Sequence, residues 1–219
     1  MFRRVPPVPV ENYSGGILRF VKSECMSSQI QPLYESRRPK RADALRNYEK
    51  LIAAAHEAFT EADRSASLED IARRAGVGIG TLYRHFPARA DLVEAVYVDE
   101  VEAMARSAQE LAQLEPWEAL AAWLQRFMRY MTTKQALADE LFAVAERDAA
   151  VFAGCRATLH QAGEPLLRRA QDAGVVRSDV TIDEVVRMVG GIAKIPADDP
   201  ADVQRLLAVA LDGLRYQAR

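Results

Sequence analysis

Apolar side chains recur at intervals of three and four residues along most of this chain, and this spacing places them on one face of an α-helix. No segment alternates apolar and polar residues in the way that predicts a β-strand, so the pattern indicates an all-α fold. The first helix, over residues 42–60, has an apolar stripe formed by Leu45, Tyr48, Ile52, Ala55 and Phe59. Nine further helices are predicted over residues 68–75, 79–85, 89–113, 117–132, 134–145, 149–162, 164–173, 181–193 and 201–216.

Residues that favour helix ends stand at several of these boundaries. Ser67 and Thr181 precede predicted helices, where their side-chain oxygens can accept a hydrogen bond from a free backbone N–H group. Gly76 and Gly174 follow predicted helices, where a left-handed backbone conformation costs least at glycine. Pro165 leaves two interpretations open, because it either begins a new helix or kinks a single longer one.

Residues 67–86 describe two short helices joined by a tight turn. In the second helix, Ile79, Leu82 and Phe86 are spaced to face inward. This arrangement is typical of a helix-turn-helix, whose second helix lies in the major groove of DNA. The polar residues predicted on the opposite side of that helix are Thr81, Tyr83, Arg84 and His85.

This helix-turn-helix also resembles the DNA-binding signature of the TetR family of transcriptional regulators. Pro87 and Ala88 depart from the resemblance, since more polar residues are common there in the family. The resemblance implies a homodimeric, all-helical regulator that responds to a ligand and is usually a repressor. Its expected partners are double-stranded operator DNA, an unidentified small-molecule effector and a second copy of the chain. The segments that carry the resemblance are Gly76-Val77, Gly80-Thr81-Leu82-Tyr83, His85-Phe86 and Arg89.

The chain is predicted to have three parts. Residues 1–36 contain prolines and no sustained periodicity, so they are expected to be a disordered extension, within which Met26 is an alternative start. Residues 37–97 are predicted to form a helix-turn-helix DNA-binding domain of three helices. Residues 98–219 are predicted to form a helical bundle for effector binding and dimerisation.

Specific reading of DNA requires hydrogen bonds to base edges, and Arg84 is the best candidate because a guanidinium can pair with both acceptors of guanine. Thr81 can donate a hydrogen bond or meet a thymine methyl group. The family resemblance implies contacts of Tyr83 and His85 with the DNA backbone or nearby bases, with packing against the first helix as the alternative. The resemblance also implies a phosphate contact of Arg89. The full set of predicted DNA-binding residues is Arg41, Ser67, Ile79, Gly80, Thr81, Tyr83, Arg84, His85 and Arg89.

Charge is unevenly distributed along the chain. The formal net charge is −2, yet the first 50 residues contain ten Lys and Arg against five Asp and Glu. A basic N-terminal part favours a surface that faces nucleic acid. A basic cluster before the first helix has two open interpretations, namely a flexible arm that touches phosphate or the minor groove, or a solvated tail. This cluster consists of Arg37, Arg38, Lys40 and Arg41.

The C-terminal part is rich in aromatic residues and methionine, which are typical of a mostly apolar ligand pocket between bundle helices. The alternative for each of these side chains is ordinary core packing. The predicted ligand-binding residues are Trp117, Trp123, Phe127, Tyr130, Met131, Phe152, His160 and Met188. By the resemblance, the dimer surface is expected on the C-terminal helices, with apolar contacts from Leu159, Leu166, Leu167, Ala170, Val185, Val189, Leu206, Val209 and Leu214.

No enzyme chemistry is indicated. The histidines lack a metal-ligand spacing, and neither a glycine-rich phosphate loop nor a nucleophile elbow is found, so no cofactor is predicted. No apolar run approaches the roughly 20 residues that a membrane span needs. Cys25 and Cys155 form no disulfide framework, so a cytoplasmic protein is expected. Two alternatives to a DNA-binding regulator are a helical protein–protein interaction module that has lost specific DNA binding, and a thiol-based redox sensor that acts through Cys155.

Overall fold

The computed structural model describes residues 38–60, 66–147, 149–196 and 199–215. These residues contain nine α-helices and no β-strand, which confirms the all-α fold. The predictions for residues 1–36, including Met26, and those for Cys25 and Arg37 lie outside the described residues. The helices are α1 (Ala42–Thr60), α2 (Leu68–Arg74), α3 (Ile79–His85), α4 (Arg89–Leu111), α5 (Pro116–Ala136), α6 (Ala138–Arg147), α7 (Ala149–Asp172), α8 (Ile182–Ile192) and α9 (Pro200–Leu214).

Helices α1, α2 and α3 form the helix-turn-helix unit, and the signals predicted from the sequence hold it together. The Ser67 hydroxyl accepts a hydrogen bond from the backbone N–H of Asp70 at 3.1 Å, which caps α2. Gly76 has φ = 63°, the left-handed conformation that the turn between α2 and α3 requires. Ile71 and Leu82 are fully buried beneath α1, so the apolar stripe of α1 covers both short helices.

Helix α4 connects this unit to the rest of the chain. It packs against α1 on one side and against α5, α6 and α7 on the other. Its apolar face is buried, at Leu92, Val93, Val96, Val101 and Met104. A displacement of the helical body therefore reaches the helix-turn-helix through a packed helix as well as through the covalent chain.

The structure decides between the two interpretations of Pro165, which lies inside the continuous helix α7. Proline removes one backbone hydrogen bond, while Leu159, Leu166 and Leu167 are buried on both sides of it and keep the helix packed.

The predicted break after Thr132 is wrong, because α5 continues to Ala136 and α6 begins only at Ala138. Thr132 donates its hydroxyl to the Met128 carbonyl, a bond that a threonine can make without leaving the helix. Since this local pattern is compatible with both helix and turn, the sequence alone could not place the boundary.

The predicted dimer surface is largely internal to the protomer. Leu206 and Val209 of α9 are exposed, at 42% and 66%. The prediction was wrong for the other seven side chains, since an apolar stripe does not reveal whether it meets a helix of its own chain or of a second copy. Those seven are buried in the protomer's own core: Leu159, Leu166, Leu167, Ala170, Val185, Val189 and Leu214.

A contact between a histidine and a glutamate joins α1 to α4. His56 Nε2 contacts the Glu100 carboxylate, and this hydrogen bond raises the pKa of His56 above its ordinary value, against the opposing effect of burial. A raised folded-state pKa means that the stabilisation is complete below the unfolded pKa, about pH 6.5, and is lost as the pH rises through the folded pKa.

We therefore expect His56→Gln to lower the free energy of unfolding more at about pH 6 than at about pH 9, where the wild-type imidazole is neutral as well. Urea titrations of both proteins at both pH values measure this difference. An equal loss at the two pH values would contradict the assigned ion pair.

Candidate nucleic-acid interface

Helix α3 presents one face to the core and one to solvent. Leu82 is fully buried and Phe86 nearly so, as predicted. Ile79 does not face inward as predicted, because it is 39% exposed and lies one turn before Tyr83, which is 44% exposed. Ile79 is the first residue of α3, and the turn before it holds its side chain away from the core.

Gly80 and Arg84 lie one helical turn apart on the exposed side of α3, and Thr81 is half-buried beside them. Arg84 makes no hydrogen bond or ion pair with any residue in the described part of the chain. Its guanidinium therefore keeps its donors available for an external acceptor. A side chain added at Gly80 would meet no atom of the protein within 4 Å, so the surface around it is open.

The structure shows the packing of His85 against α1, and its contact with DNA stays a prediction. Its ring lies edge-on to the Tyr48 ring of α1, with centroids 6.1 Å apart. Burial, and secondarily the nearby charge of Arg84, lower the pKa of His85. The imidazole is therefore neutral near pH 7, and it can offer a hydrogen bond to DNA but not a full positive charge.

The basic cluster before α1 is only partly available to DNA. Arg38 Nη2 lies 3.0 Å from Asp99 Oδ1 and 2.8 Å from Glu102 Oε2, so this residue is bound to α4. Neither a flexible arm nor a solvated tail describes Arg38, and the sequence could not reveal its two partners about sixty positions away. Lys40 and Arg41 are exposed at the start of α1.

Arg89, predicted to contact phosphate, is already engaged in the protein. Its Nε and Nη2 donate to the two carboxylate oxygens of Glu140 on α6, at 3.0 and 3.1 Å. Its Nη1 donates to the Ala66 carbonyl at 2.6 Å, and the guanidinium lies 5.0 Å from the centroid of the Phe59 ring. Arg89 thus ties α1, the segment before α2 and α6 to the start of α4.

We expect Arg89→Gln and Glu140→Gln each to lower the free energy of unfolding by about 1 kcal/mol, since both groups are partly exposed and solvent weakens the pair. The double variant should lose little more than either single variant, because the second change removes a partner that is already missing. Urea denaturation of the four proteins measures the coupling. Strictly additive losses would show that the two side chains do not act together.

Four of the predicted ligand-binding residues form a continuous chain of aromatic rings. The ring centroids of Trp123 and Phe127 are 5.8 Å apart, and those of Phe127 and Tyr130 are 5.7 Å apart. Tyr97 extends the chain from Tyr130 at 6.2 Å to Phe152 at 5.0 Å. We call these five residues the aromatic chain; it joins α4, α5 and α7.

The sequence did not single out Tyr97 and Lys134, which supply the polar groups of the aromatic chain. Tyr130 donates its hydroxyl to Tyr97 Oη at 3.2 Å, and Lys134 Nζ donates to the same oxygen at 3.1 Å. Burial raises the pKa of Tyr97 to about 12 and lowers the pKa of Lys134. Both residues stood inside helical apolar patterns, where a single tyrosine or lysine gives no distinctive signal.

The other predicted ligand-binding residues are not members of the aromatic chain, although His160 shares a surface pocket with Phe152. Trp117 lies beneath the Arg215 guanidinium, 5.0 Å from the ring centroid. Met131 and Met188 are partly buried against the core. His160 lines a surface pocket of about 440 Å³ on α7.

Cys155 is poorly suited to redox sensing. Its side chain is buried, and burial raises the pKa of the thiol to about 11. Since the thiolate is the reactive form, only a very small fraction of this thiol is reactive near neutral pH. The environment of Cys155 favours a structural role.

Two family models match this chain. Residues 51–96 match the model described as bacterial regulatory proteins of the tetR family, and residues 115–216 match the C-terminal domain described as transcriptional regulator SbtR-like. The first match contains α2, α3 and residues 51–60 of α1. None of the described helices is long and apolar enough to cross a membrane.

Solved structures resemble the chain over nearly their whole length. A TetR transcriptional regulator from Streptomyces coelicolor is 42% identical, with a TM-score of 0.69, and the match covers 78% of this chain and 99% of that one. A TetR regulatory protein from Mycobacterium vanbaalenii is 32% identical, with a TM-score of 0.65, over 81% of this chain and all of that one.

A curated relative matches a short part of the chain. An HTH-type transcriptional regulator from Staphylococcus aureus is 42% identical over 53 residues, which are 24% of this chain and 29% of that protein. The chain therefore spans less than a third of this relative's length in the match. Taken with the helix-turn-helix geometry and the 42% identity to a solved TetR regulator over almost all of its length, these findings show that the chain belongs to the TetR family of transcriptional regulators.

Proposed function

We propose that this protein is a cytoplasmic, ligand-responsive repressor that binds a near-palindromic operator as a homodimer and is released by a small molecule. In this proposal residues 37–97 bind DNA, and residues 98–219 hold the effector site and the dimer surface. The observation that carries it is the exposed face of α3, where Arg84 and Tyr83 are accessible above the buried Leu82. A short helix with this division of faces fits a major groove.

The predicted DNA contacts are of two kinds, those that read the base sequence and those that position the protein on the DNA backbone. Arg84 reads a base, with Thr81 beside it, while Tyr83 and neutral His85 contact the backbone or a neighbouring base. Ser67 begins α2 and Arg41 begins α1, and both are exposed, so they are proposed to position the protein on phosphates. Ile79 adds an apolar contact at the start of α3, and Arg89 acts chiefly by holding α4.

Gly80→Ala should separate DNA binding from folding. Alanine in a helix is about 0.5–1 kcal/mol more favourable than glycine, and no protein atom opposes the added methyl group at this position. We therefore expect a higher free energy of unfolding and a weaker specific DNA complex, because the methyl group would stand between α3 and the groove. Urea denaturation and electrophoretic mobility shifts measure the two effects.

Gly191→Ala on α8 is the matched control, since it is also exposed and has open space around it. It should not change DNA affinity. If Gly80→Ala retained full affinity for DNA, α3 would not approach the groove at this residue.

The exposed residues Leu206 and Val209 on α9 support the dimer. They are three positions apart on one helical face, and exposed apolar side chains that share a face are typical of an interface. A two-fold axis through such an interface would place two α3 helices on half-sites about one DNA turn apart, which explains the expected near-palindrome.

The effector is proposed to bind at the helical body, against the aromatic chain, whose rings are mostly buried and whose polar groups, Lys134 and two phenols, would anchor it. Release of DNA requires that the effector binds one conformation of the dimer more tightly than the other. Because α4 packs on both the body and α1, it is the expected carrier of that difference.

Selection of binding sites from random duplex DNA tests the proposal. The purified protein is incubated with the pool at fixed salt near physiological strength, and bound duplexes are sequenced. An enriched inverted repeat would support a dimeric DNA reader. No enrichment, from protein shown to be folded and dimeric, would reject the proposal in favour of a protein–protein interaction module.

A further inference from the structure

A second cleft lies between the helix-turn-helix unit and the body, away from most of the predicted effector residues. Its walls come from α1, α4 and α5, and its volume is about 990 Å³. Ligand pockets in proteins commonly measure about 300–1,000 Å³, so the cleft is large enough for a small organic molecule. Tyr130 is the one residue of the predicted ligand-binding set that lines it.

The floor of the cleft is apolar and its mouth is open. Ile52 of α1 and Val96 and Met104 of α4 are buried side chains that line the floor. Ala53 and Ala103 line the same cleft from opposite helices and are exposed, so small side chains leave its volume unfilled. An apolar ring system or chain can occupy this floor and gain the stabilisation of surface removed from water.

The carboxylates of the α4 wall already have cationic partners. Asp99 accepts from Arg38 at 3.0 Å, and Glu100 is paired with His56, whose pKa is raised by that contact. Two further carboxylates on α1, Glu49 and Glu57, also line the cleft, and Glu57 is engaged in an interaction of its own.

The α5 wall carries two arginines whose positive charge is only weakly balanced by nearby carboxylates. Arg126 and Arg129 lie one turn apart on α5, and both line the cleft. Arg126 Nη1 is 3.4 Å from Glu110 Oε2, whose side chain is 70% exposed, so this pair is weak. Arg129 is exposed, and its guanidinium makes no hydrogen bond or ion pair with the residues that the structure describes. Arg106, on α4, is 3.7 Å from Glu102.

We propose that this cleft binds an amphipathic organic anion, that is, a molecule with an apolar body and one carboxylate, sulfonate or phosphate group. The apolar body lies on the floor formed by Ile52, Val96 and Met104. The anionic group lies at Arg126 and Arg129, because guanidinium groups hold such anions through charged, often bidentate, hydrogen bonds. The site differs from the aromatic chain, which joins α4, α5 and α7.

This ligand would bridge α1 and α5 and so restrain the helix-turn-helix unit relative to the body. The effect of this ligand on DNA affinity rests on the proposed function, whereas the binding of the ligand to the cleft does not. A ligand that contacts both the helix-turn-helix unit and the body binds with different affinity to conformations in which the distance between these two parts differs. Such a difference in affinity is what an allosteric effect requires.

The test uses 8-anilinonaphthalene-1-sulfonate, an amphipathic aromatic anion whose fluorescence rises in an apolar site, titrated into the full chain. N-phenyl-1-naphthylamine, with the same rings and no sulfonate, is the matched neutral probe. We expect one sulfonate probe per protomer, bound about tenfold more weakly by the double variant Arg126→Gln/Arg129→Gln. The neutral probe should bind that variant and wild type alike.

Ala103→Trp tests the place of binding, since its indole would fill the cleft and is expected to abolish binding of both probes. Arg168→Gln/Arg187→Gln, two exposed arginines on α7 and α8, is the control and should bind like wild type. Circular dichroism verifies that each variant is folded. If the double variant is unfolded, the single variant Arg129→Gln, which changes an exposed side chain, is compared with wild type instead. Unchanged sulfonate binding in the arginine variants, or in Ala103→Trp, would overturn the proposed site.

Operator affinity separates this inference from the proposed function. Saturating sulfonate probe should change the affinity of wild type for its selected operator but not that of Ala103→Trp. If wild type bound its operator but did not bind the sulfonate probe, the proposed cleft site would be overturned and the proposed repressor would stand. Probe binding with unaltered operator affinity would overturn the regulatory role of the cleft.

Discussion

Trp123→Ala is expected to lower the free energy of unfolding by about 3–5 kcal/mol, the largest effect of any substitution considered. Trp123 is fully buried on α5 and is stacked on Phe127. Its indole Nε1 donates to the Met104 carbonyl of α4 at 3.3 Å. Removal of the indole leaves a cavity where α4, α5 and α7 meet, and a domain of ordinary stability of about 5–15 kcal/mol would lose a large part of it.

The site is packed so closely that an added methyl group should also be destabilising. A Cβ atom at Gly163 of α7 would lie 2.6 and 2.8 Å from two atoms of the Trp123 ring, and 2.9 Å from a methyl carbon of Ile182. Gly163→Ala is therefore expected to cost about 1–3 kcal/mol. Combining it with Trp123→Phe should recover part of that cost, because the smaller ring leaves room for the methyl group.

Urea denaturation followed by far-ultraviolet circular dichroism measures these variants without relying on the tryptophan that is removed. Protein concentration is kept equal throughout, because the proposed dimer would make stability depend on it. Trp117→Ala is the matched control, as Trp117 is only half-buried and faces Arg215 at the surface. If the two tryptophan variants lost equal stability, Trp123 would not be the centre of this core.

The environment of Trp123 illustrates which parts of the structure could be predicted from the sequence and which could not. The family model and the local signals agree on the helix-turn-helix, because Ser67, Gly76 and Leu82 act through neighbours within four positions of the chain. A ligand-binding role and a core role for Trp123 give the same helical spacing. Only the position of Gly163, forty residues away, shows how tightly the indole is enclosed.

The same limit applies to charged residues and explains the errors at the dimer surface. The sequence left the basic cluster with Arg38 open between an arm and a tail and gave Arg89 a phosphate contact by resemblance, but it could not show that each is bound to a carboxylate more than fifty positions away, at Asp99 and Glu140. Leu167 and Val209 both follow apolar helical spacing, although one is buried and the other is exposed. Such differences arise from tertiary contacts, which periodicity within one helix does not encode.

Arg84→Ala is expected to weaken binding to the selected operator by about 1–3 kcal/mol, or roughly 5- to 150-fold, with the loss concentrated at one base position in each half-site. Arg84 is exposed on α3, so its removal should leave the free energy of unfolding nearly unchanged. The physical reason for the specificity is that one guanidinium satisfies two acceptors of a single guanine, and no other base pair presents the same pair of acceptors.

Arg41→Ala provides the contrasting case, because a phosphate contact carries no sequence information. It should weaken all duplexes alike and lower the dependence of affinity on salt by about one counterion, whereas Arg84→Ala should change the preferred sequence. Competition binding against operators altered at single positions, repeated at several salt concentrations, distinguishes the two. If Arg84→Ala weakened every duplex equally and left the preferred sequence intact, Arg84 would be a positioning residue, and base reading would fall to Thr81 and Tyr83 on the same helix.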